Sequence, residues 1–183
     1  YAFPLKFALN FIHLSKIFLF VLFTYMYLRS LKLSEGVSYL GAFAGGSSTF
    51  LIMWLMWPHT NVFILFPLLL FLTEKIKESS RDEFRYYLAI AVSYTIAIFG
   101  GHPETLFHLT VIHVFYLTFR LWDRKKVFKI LVFIFLGFLG GSVQLIPFLE
   151  YLKYSYVVNE RLNVHELLYA PLLSFVVNFI PFF

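Results

Sequence analysis

Six histidines and ten carboxylates sit in a 183-residue chain that is 60% hydrophobic, and many of them fall in four short segments. These read WPHTN at 57–61, GGHPETLFH at 100–108, QLIPFLEYL at 144–152 and NERLNVHE at 159–166. In GGHPE, Pro103 suits the first turn of a helix, and Glu104 beside it interacts favourably with the dipole of a helix start. His102 has no such requirement, and its neighbours Gly100 and Gly101 would let a ligand approach the backbone. The pair His102 and Glu104 therefore carries two readings, ligand binding and helix initiation.

Glu104 and His108 are four apart, one helical turn, with His102 near and His113 further along. That spacing lacks the His-Glu-x-x-His pattern of zinc peptidases, so no metal or other cofactor is expected, although the pattern leaves a divalent ion open. Gln144, Pro147 and Glu150 recur every three residues, which places them on much the same side of a helix. They form either an inter-helical hydrogen bond with an interfacial carboxylate, or the wall of a cavity. His13 and Lys16 stand one turn apart inside an apolar run, where a lysine requires an anion. A neighbouring glutamate or a lipid-borne phosphate would supply it.

The elements that must position these groups are membrane helices. Aromatic residues make up 22% of the chain, charged residues only 14%, and the mean hydropathy is +0.78, beyond what a water-soluble core hides. Seven apolar runs are predicted, at about 8–28, 36–56, 61–73, 86–100, 105–121, 127–149 and 167–183. The fold expected is all-α, a polytopic transmembrane bundle of six to seven spans in a single domain over 1–183. The third and fourth runs are short enough to extend into their polar flanks, tilt or penetrate part way. Tyr1 is the first residue and the last run is still apolar at Phe183, so the chain is expected to be cut at both ends.

Every second loop is basic. Of the 15 Lys and Arg, 11 lie in the loops after runs one, three and five, whereas the intervening loops contain only Lys153 and Arg161. The positive-inside bias makes the first set cytoplasmic and gathers His59, His102, Glu104, Glu150, Arg161 and His165 on the opposite side, around a polar, water-accessible cavity. Because the basic residues follow topology, the net charge of +5 does not signal nucleic acid. Without cysteine the chain has neither disulfides nor thiolate metal sites. Gly41 with Gly45, and Gly137 with Gly141, offer smooth faces to neighbouring helices.

Taken in order, HLSKIFLFVLFTYMYLR, WPHTNVFILFPLLL, GGHPETLFH and QLIPFLEYLKYS resemble the bacterial YfhO-like membrane proteins, a group placed with the GT-C type of polytopic glycosyltransferases. The resemblance covers most of the chain. It implies a multi-pass protein of the bacterial plasma membrane that transfers a sugar from a polyprenyl-phosphate donor to an extracytoplasmic acceptor such as a cell-wall polymer. It also implies a substrate-binding set of His13, Lys16, His59, His102, Glu104, Gln144, Glu150 and Arg161, with Lys16 toward the lipid phosphate. The acidic residue that acts as base in such enzymes usually follows the first span, and is expected outside this segment. A transporter or lipid-linked oligosaccharide flippase is the alternative, because it too needs intramembrane charges and helices interrupted by residues such as Pro67, Pro147 and Pro171.

Overall fold

The structure, a computed structural model, describes residues 4–79 and 84–155. Among the described residues there are nine helices and no strand: α1 (Leu5–Ser30), α2 (Glu35–Gly46), α3 (Thr49–Met53), α4 (Pro58–Phe63), α5 (Phe66–Glu78), α6 (Phe84–Phe99), α7 (Pro103–Arg120), α8 (Arg124–Gly140) and α9 (Ser142–Tyr154). Their boundaries follow local chemistry. Prolines stand in the first turns of α4, α5 and α7, where the missing N–H needs no partner. The Asp123 carboxylate caps α8 by accepting from the Lys125 amide at 2.9 Å, and the Ser48 hydroxyl caps α3 by accepting from the Leu51 amide.

Two of the apolar runs are interrupted. The run over 36–56 divides into α2 and α3, because Ser48 starts a new helix. The run over 127–149 divides at Gly141, between α8 and α9. The run over 61–73 instead extends into both polar flanks, so that α4 and α5 make a nearly continuous helix over Pro58–Glu78. Two helices, α1 with 26 residues and Pro58–Glu78 with 21, are long and apolar enough to cross a membrane, and α8 with α9 would make a third if counted as one broken span. The seventh run lies outside the described residues.

The chain divides into two compact units, Tyr1–Gln144 and Leu145–Phe183. Within the first, α1 packs against α2 and α5, α5 against α6 and α7, α4 against α7, and α6 against α8. The α4–α5 pair is central: 56% of its apolar window is buried, against 11% for α1. Large side chains such as Phe18, Phe107, Phe115 and Phe119 are exposed, as they are where hydrocarbon replaces water. Of the second unit, the described part is the remainder of α9 through Ser155, in which Pro147 stands inside the helix.

Candidate functional site

The site is built on the start of α4 and the start of α7. Three consecutive residues of α4 have three different tasks. His59 lays its ring on that of His102, with centroids 3.7 Å apart and planes at 31°. The buried Thr60 hydroxyl lies 3.1–3.2 Å from the carbonyl oxygens of Trp54, Leu55 and Trp57, donating to one of them at a time. The Asn61 amide donates to the Gly100 carbonyl at 3.1 Å, which fastens the α6–α7 turn to α4.

His102 is itself the N-cap of α7. Its Nδ1 accepts from the Thr105 amide at 3.1 Å and lies 2.8 Å from the Thr105 hydroxyl, so the neutral ring carries its proton on Nε2. This corrects the expectation that His102 has no helical duty: three residues before Thr105, it occupies the capping position usually held by Ser, Thr, Asp or Asn. Burial, and then the neighbouring His59, hold the His102 imidazole below its ordinary pKa, while Glu104 opposes them. The two glycines serve the fold as well. A Cβ on Gly100 would stand 2.9 Å from Val62 and from the Ala97 carbonyl, and Gly101 has φ +81° with open space around it.

A cavity of about 340 Å³ lies beside this pair, lined by His59, His102, Glu104, Thr105 and His108 on its polar part. Phe50, Phe63, Phe66, Leu109 and Ile112 supply its apolar part. The Nδ1 of His59 is buried without a hydrogen-bond partner among the described residues, and Trp54 packs on the same ring at 4.6 Å between centroids. The volume falls in the range of small-ligand pockets, and the lining pairs aromatic surface with a few polar groups, as such pockets do. No group of three or more His, Cys, Asp or Glu is disposed to hold a metal ion among the described residues.

The other expected residues are placed elsewhere. Lys16 is 7% exposed, and among the described residues its ammonium meets no carboxylate but donates to the Leu55 carbonyl at 2.8 Å and to Thr60 Oγ1 at 3.2 Å. It lines a separate hollow of about 390 Å³, with Ser15, Asn61, Ile64, Ile96 and Gly100. His13 is half-buried one turn earlier. Gln144 closes the first unit, half-buried, and Glu150 is exposed in the second. Arg161 lies outside the described residues. His113 is fully buried between Thr73 and Tyr94, both at 3.0 Å, and the Thr73 hydroxyl is 2.9 Å from the Leu69 carbonyl. With Thr73 donating to Leu69, Nε2 of His113 donates to Thr73 and Nδ1 accepts from Tyr94.

Sequence reasoning missed a polar cluster on α5 and α7. Glu74, 2% exposed, accepts from Arg120 Nε at 2.5 Å and Nη2 at 2.8 Å, and from the Tyr116 hydroxyl at 2.5 Å, while Tyr27 reaches Tyr116 at 3.3 Å. The bidentate geometry is the strong form of such a pair. Tyr116 and Arg120, four apart on one helix, were the available signal. Thr60 and Thr105 were missed too, although each adjoins a singled-out histidine or glutamate in sequence. Against protein-family models, curated proteins and solved structures alike, the chain finds no match.

Proposed function

We propose that this chain is the membrane region of a GT-C-like glycosyltransferase, with six to seven spans in the bacterial plasma membrane and its basic loops in the cytoplasm. It would transfer a sugar from a polyprenyl-phosphate donor to an extracytoplasmic glycan or polymeric acceptor. The observation that supports this reading is the cavity between α4 and α7, which sets His59, His102, Glu104 and His108 beside the rings of Phe50, Phe63 and Phe66. A lipid-linked sugar has the same two-sided chemistry. Its hydroxyls donate to the Glu104 carboxylate and exchange hydrogen bonds with the imidazoles, while its C–H faces and first isoprene unit pack on the aromatic part. Charge develops on the leaving phosphate during transfer, so a cation near the lipid is required, and Lys16, which lines the separate hollow, is that cation in this reading. The base that activates the acceptor is assigned to no residue of the chain.

The test is transfer of labelled sugar from a polyprenyl-phosphate donor in membranes bearing the protein. Glu104→Ala removes a hydrogen bond to a charged group, worth about 1.5–3 kcal/mol, and should lower transfer roughly tenfold to hundredfold, while His59→Ala removes a neutral one, worth about 0.5–1.5 kcal/mol, and should lower it by a smaller factor. Undiminished transfer in both variants would sink the reading. A flippase is the second reading, favoured by the interrupted helix pairs α2–α3 and α8–α9. It would reveal itself as movement of the intact lipid-linked sugar across vesicles with no transfer.

A further inference from the structure

We propose that Lys16 is a positioning residue for the His59 side of the cavity, acting as a latch through the Trp54–Thr60 segment. The proposal rests on the preceding section for the identification of the cavity as the site, and on independent geometry for the latch itself.

A lysine inside a long apolar helix is costly unless its ammonium is satisfied. Lys16 is satisfied by two neutral acceptors, the Leu55 carbonyl in the connection between α3 and α4 and the Thr60 hydroxyl in the first turn of α4. That connection is a tight turn in which the Trp57 amide donates to the Trp54 carbonyl at 2.9 Å. Its carbonyls at 54, 55 and 57 crowd around one hydroxyl, that of Thr60, which has a single hydrogen to offer. The Lys16 ammonium at 2.8 Å from the Leu55 oxygen relieves that shortage, and charge-assisted bonds of this kind are about twice as strong as neutral ones. Remove the ammonium and one hydroxyl must serve both the Leu55 and the Trp57 carbonyls, the Trp54 carbonyl being held by the Trp57 amide.

The turn in turn sets His59. Trp54 packs on the His59 ring at 4.6 Å and Trp57 stands edge-on to it at 6.5 Å, while His102 covers it at 3.7 Å. His59 therefore makes ring contacts on both sides, and the Trp54 side is held by the residues that Lys16 tethers. The Nδ1 of His59 has no hydrogen bond among the described residues to hold the ring in its place. Ring packing alone orients it, so displacement of Trp54 is transmitted directly. Lys16 itself lines the hollow on α1, α4 and α6 and none of the wall of the His59–His102 cavity, so its influence there is indirect.

The latch is tested by fluorescence in a chain whose one remaining tryptophan is Trp54, made by Trp57→Phe and Trp122→Phe, held in neutral phospholipid nanodiscs. An imidazole in contact with an indole quenches it, so His59→Ala should brighten Trp54 in this parent. Lys16→Met should erase most of that His59-dependent difference, Thr60→Val should reduce it, and Lys16→Arg, which still donates to the turn, should retain it. This is a coupling measurement between neighbouring residues rather than a measure of overall stability. An unchanged difference in Lys16→Met and Thr60→Val overturns the latch, as does the absence of any His59-dependent difference in the parent. Should Lys16→Met not fold, Thr60→Val decides alone. The readout is independent of sugar transfer: lost coupling in the variants with no transferase activity in the parent sinks the functional reading and leaves the latch, and unchanged coupling with transferase activity present does the reverse.

Discussion

His102 unites the two readings its sequence allowed, because one ring nitrogen caps α7 while the ring forms part of the cavity wall. The cap requires a lone pair on Nδ1, and protonation there destroys it. The groups facing the ring are His59 from α4 and Glu104 and Thr105 from α7, and the balance of burial and His59 against Glu104 lowers its pKa. A histidine whose folded pKa is depressed contributes stability that is present above the unfolded value, about 6.5, and is lost as pH falls through the folded one. Thermal unfolding in detergent at about pH 7.5 and about pH 5 therefore should show acid destabilisation. His102→Asn keeps a capping acceptor without a titrating one, and its acid-side loss should be smaller. At neutral pH His102→Ala should cost about 0.5–2 kcal/mol, the usual worth of a cap, with Asn close to the parent. An Asn variant as acid-sensitive as the parent would show that His102 is not the titrating group.

At the scale of helices, α6 and α8 approach each other closely at Gly137. A Cβ on Gly137 would stand 2.6 Å from both the Ala91 carbonyl oxygen and Tyr94 Cβ, and Thr95 donates to the Gly137 carbonyl at 3.0 Å. Gly137→Ala must push the two backbones apart, and overpacking of this kind typically costs about 1–3 kcal/mol. Gly36→Ala, where nothing lies within 4 Å, is the control and should be neutral or stabilising in thermal unfolding. Equal melting of the two variants would contradict tight α6–α8 packing. Gly137 was legible from its spacing to Gly141, as were helices at all six of the runs that fall in the described residues, because apolar composition dictates where helices form. Interruptions were harder to read: Ser48 starts α3 by capping, and a serine within an apolar run resembles any other small residue. Gly41 and Gly45 face the side chains of Leu28 and Phe20 on α1 rather than a backbone, a distinction that spacing does not encode. In the site, His59, His102 and Glu104 were legible because polar residues are rare here. The Lys16 partners were not, since a carbonyl in a turn leaves no trace in side-chain identity. Glu74 was concealed by lying next to Lys75 and Lys77, which read as a solvated loop.

For the whole molecule, the orientation inferred from charge requires that the basic loops after α5 and α7 share one side and the His59 and His102 segments the other. Two sets of contacts agree with that requirement. At one end Arg120 pairs with Glu74, and Lys126 donates to the carbonyls of Ile76 and Ser79, both at 2.8 Å. At the other, His59 meets His102. Between these ends run α4–α5, α6 and α7, of 21, 16 and 18 residues, or about 32, 24 and 27 Å at 1.5 Å per residue, against a hydrocarbon core of about 30 Å. In the proposed topology these three would each cross, which would put Met56 and Trp122 on opposite faces. Lys16, about 16 Å along α1 from Leu5, is level with the α3–α4 turn, so the first turns of α1 run on past the start of α4. In the proposed topology the cavity mouth would then lie below the outer end of α1, at a depth a lipid headgroup reaches from the bilayer rather than from water. The chain has no cysteine, so single introduced thiols report cleanly. Met56→Cys and Trp122→Cys replace side chains 80% and 95% exposed. A membrane-impermeant maleimide applied to intact spheroplasts should label Met56→Cys and should reach Trp122→Cys only after permeabilisation. Labelling of both without permeabilisation, or of Trp122→Cys alone, would remove the assignment of the His59–His102 cavity to the outer face, and with it a lipid-linked donor met from outside.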